Sequence, residues 1–400
     1  MCVPMAVRAP AIERVGPVGA RPCPTAPRRT PEEVQVWPHA VPTAILSGLQ
    51  IAAHGVVAVP ARPSGGSMRV TVLGAGSWGT TVAALLCRRD HEVLLWARNP
   101  EVAAEIDGDR RNGTYLPDSR LPARLRATAD LERASRHADL LVVGVPTGAV
   151  RGTLERVQPD LAPWIPVVSL SKGLERGTHL RMTQVIKEVL PGRPAAALTG
   201  PNLAKEIMAG QAAASVIATE DLSVAAALQR EFQRGMFRVY THHDVIGCEI
   251  GGALKNIIAI ATGMAEGLGV GDNTRAGVMS RGLAELTTLA VAMGGEATTL
   301  AGLAGMGDLV ATCMSPQSRN RHVGEQLGLG RPLEEVLGEM RMVAEGVKTS
   351  ATVVELAEKY GVDMPIARTI NDVVTGRIRA ADAYKGLIRA IPAGHESQPG

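Results

Sequence analysis

"MRVTVLGAGSWGT", residues 68–80, places a strand, a glycine turn and a helix start in immediate succession. Arg69 to Leu73 is a short β-branched run, Gly74, Gly76 and Gly79 keep the G-x-G-x-x-G spacing, and Thr80 to Arg89 is an apolar-periodic helix leading into a second strand, Glu92 to Ala97. Each glycine has a separate task. Gly74 makes the tight turn, Gly76 lets the backbone approach a pyrophosphate, and Gly79 lets the helix pack on the strand with its N-terminus toward the anion. Glycines alone mark ordinary turns, but strand, glycines, helix and strand in this order predict a dinucleotide-binding unit. At the end of the second strand, where an acidic residue commonly grips the adenosine ribose, stands Arg98. An arginine there accommodates a 2′-phosphate, which favours NADPH and leaves NADH open.

Downstream, strands and helices keep alternating. "ADLLVVGVPTGAV" (138–150), "IPVVSLSKGLE" (165–175), "AAALTGPNLAKE" (195–206), "AASVIAT" (213–219) and "FRVYTHHD" (237–244) are short apolar runs that end in turn residues. This is the pattern of a doubly wound α/β sheet, a Rossmann-type fold. Ligands of such sheets bind beyond the carboxyl ends of the strands. Pro146, Ser171, Lys172, Gly200, Pro201 and Asn202 fall there. From Ile246 the strands stop, and helical patterns run to about Ile391. The expected organisation is therefore a nucleotide-binding domain over 68–245 and an all-helical substrate and catalytic domain over 246–395.

Residues 1–67 differ from the rest. They hold 11 of the 26 prolines and six arginines against Glu13, Glu32 and Glu33, which accounts for the whole formal charge of +3. Such a segment buries too little apolar surface to offset its chain entropy and is expected to be a disordered extension, with Met68 an alternative start and an Arg-rich organelle leader a lesser possibility. The remainder is electrically neutral, which speaks against a nucleic-acid partner. Five widely spaced cysteines without a CxxC pair indicate neither a disulfide framework nor a structural zinc site, and fit a reducing cytoplasm. No metal is expected. No uninterrupted apolar run reaches membrane-spanning length, so no span is expected either.

"EIGGALKNIIAIATG" (249–263) carries the second chemical signal. At about 100° per residue, Ile250, Leu254, Ile257, Ala261 and Met264 share one face and predict a buried helix. Lys255 projects from the other side among Gly251, Gly252, Ala259 and Thr262, small residues that leave room before its ammonium. A helical lysine commonly snorkels to solvent. Here no other Lys or Arg occurs between Arg238 and Arg275. A lysine in an apolar wall is desolvated, its pKa falls, and it becomes able to protonate a carbonyl oxygen during hydride delivery.

Taken together and in order, "GAGSWGT", "SLSKG", "GPNLAKE", "EIGGALKNIIAIATG", "GDNTRA", "GLAGMGDLVATC", "SRNRHVG" and "AEGVKT" resemble the NAD(P)-dependent sn-glycerol-3-phosphate dehydrogenases of bacterial type, over about residues 68–391. The resemblance implies reversible reduction of dihydroxyacetone phosphate to sn-glycerol 3-phosphate with NADPH or NADH, feeding glycerophospholipid synthesis, in an enzyme that is often a homodimer. It implies that Lys255 is the proton donor and acceptor, with Lys172 a second cation near substrate and nicotinamide, and Asp308 orienting Lys255. Substrate contacts are implied at Gly200, Asn202, Ser318, Arg319 and Asn320 besides those three, with Arg319 as the phosphate ligand. Cofactor contacts are implied at Gly74, Gly76, Ser77, Trp78, Gly79, Arg98, Tyr115, Lys172, Ala204, Arg319, Val343 and Glu345. Many bacterial relatives carry a small hydroxyl residue where this chain has Asn202 and an aromatic where it has Leu203. Two alternatives stay open: a 3-hydroxyacid or 6-phosphogluconate dehydrogenase, which also pairs lysine and asparagine on an interdomain helix, and a non-enzymatic nicotinamide-binding sensor.

Overall fold

The computed structural model describes residues 67–340 and 344–383, and their contacts join them in one compact unit. The expectation for residues 1–67 lies, but for Ser67, outside the described residues. The sheet contains β1 (Arg69–Leu73), β2 (Glu92–Trp96), β3 (Arg126–Thr128), β4 (Leu140–Val143), β5 (Val167–Ser169), β6 (Ala195–Thr199), β7 (Ala213–Ala218) and β8 (Phe237–His242) in the order 3-2-1-4-5-6-7-8. Val70, Val72, Leu140 and Val142 enter one apolar cluster, while Leu73, Leu141 and Val143 enter another. Because both faces are covered by helices, the central strands are buried along nearly their whole length rather than alternating. β1 pairs in parallel with both β2 and β4, so the direction of winding reverses between β1 and β4 and a crevice opens at their carboxyl ends.

The one antiparallel pair is β6 with β7. Between them lies only a five-residue helix, Ala204–Met208. At about 1.5 Å per residue it is too short to carry the chain back along the sheet for a parallel return. The eleven-residue helix Leu222–Phe232 does make that return, and β7 and β8 are parallel. The short strand β3 extends the sheet beyond the sequence expectation.

After β8 the described chain is helical. Its centre is the helix Val245–Gly267, capped by Asp244, whose carboxylate accepts from Gly247 N at 2.8 Å, Glu296 N at 2.8 Å and Thr299 Oγ1 at 2.7 Å. Ile250, Leu254, Ile257, Ile258 and Ile260 are essentially inaccessible, each contributing about 1.5–3 kcal/mol on burial. Among the described residues this helix alone is long and apolar enough to cross a bilayer, but its apolar stretch is buried in the protein. Its packing is closest against the helix Arg319–Gly328. A Cβ on Gly324 would lie 2.0 Å from Ile260 O, and one on Gly263 would lie 2.0 Å from Arg321 O, so the two backbones touch. Arg319 is thereby held at a fixed distance along the helix that carries Lys255. Glu249, also on the central helix, accepts from Arg181 Nη1 at 2.7 Å and Thr183 N at 2.9 Å, tying the helix to the connection between β5 and β6.

Candidate active site

The glycine turn forms as its spacing requires. Gly74 has φ +111°, and a Cβ there would fall 2.7 Å from the carbonyl of Gly144; a Cβ on Gly79 would fall 2.0 Å from Gly74 O. Gly76, by contrast, meets nothing within 4 Å. It starts the helix Ser77–Cys87, whose first turn has neither a side-chain cap nor an acidic residue. The positive end of the helix therefore faces an anion with no carboxylate in its way, and the open side of Gly76 leaves space for a pyrophosphate. Ser77 Oγ donates to Tyr115 O at 2.9 Å, bringing the "RNGTY" loop beside the turn. Fully buried Asn112 fastens that loop, with Nδ2 donating to Ala75 O and Thr80 Oγ1 at 2.9 Å each. Trp78 meets Phe237 edge-on at 6.2 Å and has a buried Nε1 without a protein partner. Arg98 stands exposed just past β2. These residues fit a dinucleotide.

A second cluster centres on Asp308. The π-helical turn Leu303–Gly307 runs directly into the helix Asp308–Met314, and a Cβ on Gly251 would lie 2.8 Å from Ala304 O, so the turn is pressed against the central helix. π-turns recur at functional sites. Asp308, 1% exposed, receives Lys255 Nζ on Oδ1 and Lys172 Nζ on Oδ2, the latter at 2.8 Å. Lys255 also donates to Thr312 Oγ1 at 2.7 Å, and Lys172 donates to Gly200 O at 2.8 Å. Lys255 is 5% exposed. Burial pushes its pKa down to about 8; the Asp308 charge opposes that fall and the Lys172 charge reinforces it. Gly252 has the small side required here, since a Cβ would fall 2.8 Å from Thr199 Oγ1 and 3.6 Å from Lys172 Cγ.

Asn202 follows the turn at Gly200 and accepts a bond from Ser215 Oγ, while its Nδ2 and the nearby Thr199 Oγ1 are buried without protein partners. Ala204 opens the helix Ala204–Met208 and is half-buried. Arg319 is exposed at the first position of its helix. Ser318 caps that helix by accepting from Arg321 N at 3.2 Å. The Asn320 amide is engaged at both ends, donating to Asn256 Oδ1 at 2.9 Å and accepting from Gly346 N at 3.0 Å. It joins three helices. Glu345 accepts a long bond, 3.5 Å, from Thr147 Oγ1 beyond β4; burial raises its pKa against the opposing influence of Arg319. Val343 lies outside the described residues.

Thr312, Asn112, Thr147, Thr199 and Ser215 were not singled out by sequence reasoning. Thr312 had a signal, since a residue four beyond Asp308 in a helix shares its face. The others sit where only the folded chain brings them to the site.

The chain was compared with known proteins. The family described as NAD-dependent glycerol-3-phosphate dehydrogenase N-terminus matches residues 69–225, and the corresponding C-terminus family matches 244–385. A glycerol-3-phosphate dehydrogenase (NAD(P)+) 2 from Sphingopyxis alaskensis is 55% identical over 333 residues, 83% of this chain and 99% of the relative. A glycerol-3-phosphate dehydrogenase (NAD(P)+) 1 from Mycobacterium bovis is 51% identical over 329 residues, covering 82% and 96%. The crystal structure of glycerol-3-phosphate dehydrogenase from Coxiella burnetii superposes with a TM-score of 0.78 at 34% identity, over 80% of this chain and 99% of that one.

Proposed function

We propose the residue roles below on one premise: the chain belongs to the NAD-dependent glycerol-3-phosphate dehydrogenase family. Its reaction is the reversible reduction of dihydroxyacetone phosphate to sn-glycerol 3-phosphate with NAD(P)H, a step that supplies glycerophospholipid synthesis. The nicotinamide, when bound, supplies or takes up the hydride. The amides at the start of the Ser77 helix and the open side of Gly76 hold the pyrophosphate, with Ser77, Trp78, Tyr115, Ala204 and Glu345 around the rest of the dinucleotide. Residues 68–245 bring most of these groups together with Lys172, Gly200 and Asn202 at the substrate, and residues 246–395 bring Lys255, Asp308 and Arg319 to the substrate and Glu345 to the dinucleotide.

Lys255 holds the proton that goes to the substrate's C2 oxygen. The observation that carries this role is the buried Lys255–Asp308–Lys172 arrangement, in which one carboxylate holds two ammonium groups. With a pKa near 8, Lys255 is mostly protonated at neutral pH yet gives the proton up readily. Thr312 fixes the direction of Nζ, and Lys172 places a second positive charge beside the developing alkoxide. Arg319 grips the phosphate with its planar fork, while Ser318 and Asn320 hold the start of the Arg319 helix in place. Asn202 offers a neutral donor. Arg98 favours NADPH, and the protein works in the cytoplasm as a homodimer.

The test is a steady-state assay of the protein with dihydroxyacetone phosphate, run in parallel with NADH and NADPH. Oxidation of at least one is expected, with the lower KM for NADPH. Oxidation of neither refutes the catalytic assignment, and a monomer in sedimentation equilibrium refutes the dimer.

A further inference from the structure

We propose that Ser215, on β7 and outside the catalytic cluster, is a positioning residue that anchors one end of the Asn202 amide so that the other end meets the substrate. The inference rests on the reading that Asn202 contacts substrate. Ser215 is completely buried, and its Oγ donates to Asn202 Oδ1 at 2.5 Å. An asparagine amide presents a carbonyl on one side and an NH2 on the other, and it reverses these roles by a half-turn. In the structure Ser215 takes the carbonyl end, and the NH2 lies on the opposite side. There it has no partner in the protein although it is buried, and the hydroxyl of Thr199, three residues earlier, is in the same condition. A buried donor left without an acceptor is costly. Two such groups flank a turn whose Gly200 carbonyl holds Lys172, so both are placed to meet an oxygen-bearing ligand beside that lysine.

The backbone supports the same assignment. Gly200, at φ +124°, lies directly on β7, where a Cβ would approach Ser215 Cα and Ala214 O to 3.2 Å. β6 and β7 run antiparallel there, with Thr199 opposite Val216, so Ser215 sits one residue from the end of the paired segment, under the turn. The reversed strand direction, set by the short connection between β6 and β7, is what carries Ser215 beneath Asn202. A hydroxyl residue at position 202 carries a single polar atom on a shorter side chain, whereas an amide carries two, one for Ser215 to hold and one for the ligand. Ser215 is therefore the counterpart of having asparagine at 202, and it makes this chain's substrate recognition depend on a residue that touches no substrate.

The experiment is a coupling measurement on the full chain, with dihydroxyacetone phosphate and NADPH. Ser215→Ala is expected to raise KM for dihydroxyacetone phosphate about five-fold, the worth of one neutral hydrogen bond, with kcat and KM for NADPH within about two-fold of the parent. In an Asn202→Ser background, Ser215→Ala is expected to add nothing. An unchanged KM in the Asn202 background, or the same rise in both backgrounds, overturns the inference, the second result marking Ser215 as merely structural. Asn202→Ala separates the premise from the inference. If it leaves KM unchanged, the substrate contact itself is wrong; if it raises KM while Ser215→Ala does not, only the positioning role falls. Should Ser215→Ala be insoluble, Ser215→Cys retains the volume with a weaker donor and is expected to raise KM in the same direction, an unchanged KM again overturning the inference.

Discussion

Replacing Asp308 by Asn removes the one negative charge between the buried Lys255 ammonium and the partly exposed Lys172 ammonium while keeping the shape of the side chain. Leaving Lys255 charged without that partner costs about 3–5 kcal/mol, whereas a lysine whose pKa has fallen to about 6 favours its neutral form by about 1.4 kcal/mol at pH 7. The lysine therefore loses its proton. In the parent, with a pKa of about 8, roughly nine-tenths of Lys255 is protonated at pH 7. Loss of an opposite charge in direct contact lowers a lysine pKa by about two, toward 6, and the protonated fraction at pH 7 falls to about one-tenth. In the proposed mechanism reduction of dihydroxyacetone phosphate needs the protonated lysine, so activity is expected below the pKa and lost above it. The expected result is a kcat/KM for reduction at pH 7 about ten-fold lower in Asp308→Asn, with most of the loss recovered near pH 5.5. The assay is NADPH oxidation across pH 5–9 for parent and variant, the substrate's own ionisation being common to both. A descending limb that stays near 8, or moves upward, refutes the claim that Asp308 sustains the Lys255 charge.

Gly79→Ala puts a Cβ where only 2.0 Å separates it from Gly74 O, so the turn must open; affinity for NADPH in a fluorescence titration is expected to fall at least about ten-fold. Arg319→Lys keeps the charge but loses the fork, and KM for dihydroxyacetone phosphate is expected to rise about 10–100-fold with a much smaller change in kcat, read from steady-state kinetics. Glu285, buried and accepting from Ile366 N at 2.8 Å and Ala367 N at 3.2 Å, has its pKa pushed up by desolvation to about 7. The folded state thus binds its proton more tightly than the unfolded one, and stability present below about pH 4.5 is lost as pH rises toward 7, by about 3 kcal/mol. Glu285→Gln is expected to flatten that decline in melting temperature, and an identical pH dependence in parent and variant contradicts the assignment.

The sheet and the helical half were legible because their signals are local and repeat. Glycine spacing after a β-branched run marks the nucleotide turn, and the apolar runs before Lys172 and Gly200 mark strand ends. The reversed direction of β7 was not legible, since it follows from the short Ala204–Met208 connection rather than from any residue within the strand. Lys255 stood out because it was the only cation in a long apolar stretch. Its partners did not stand out equally. Asp308 was read from its motif, but its second ammonium, Lys172, comes 136 residues earlier, and only the folded sheet brings them together. Asn320 was read as a substrate contact through its neighbours in "SRNR", while the structure engages its amide with Asn256 and Gly346, a pairing no spacing rule encodes. Ser215 gave no signal at all, being one small residue in a buried strand.

In the proposed mechanism Lys255 delivers the proton. Its most direct test is the turnover of Lys255→Ala with dihydroxyacetone phosphate at pH 7, with NADPH affinity measured on the same preparation. The expected result is a loss of on the order of a hundredfold or more in kcat with NADPH binding retained. Turnover equal to that of the parent, with the cofactor equally bound, contradicts the claim.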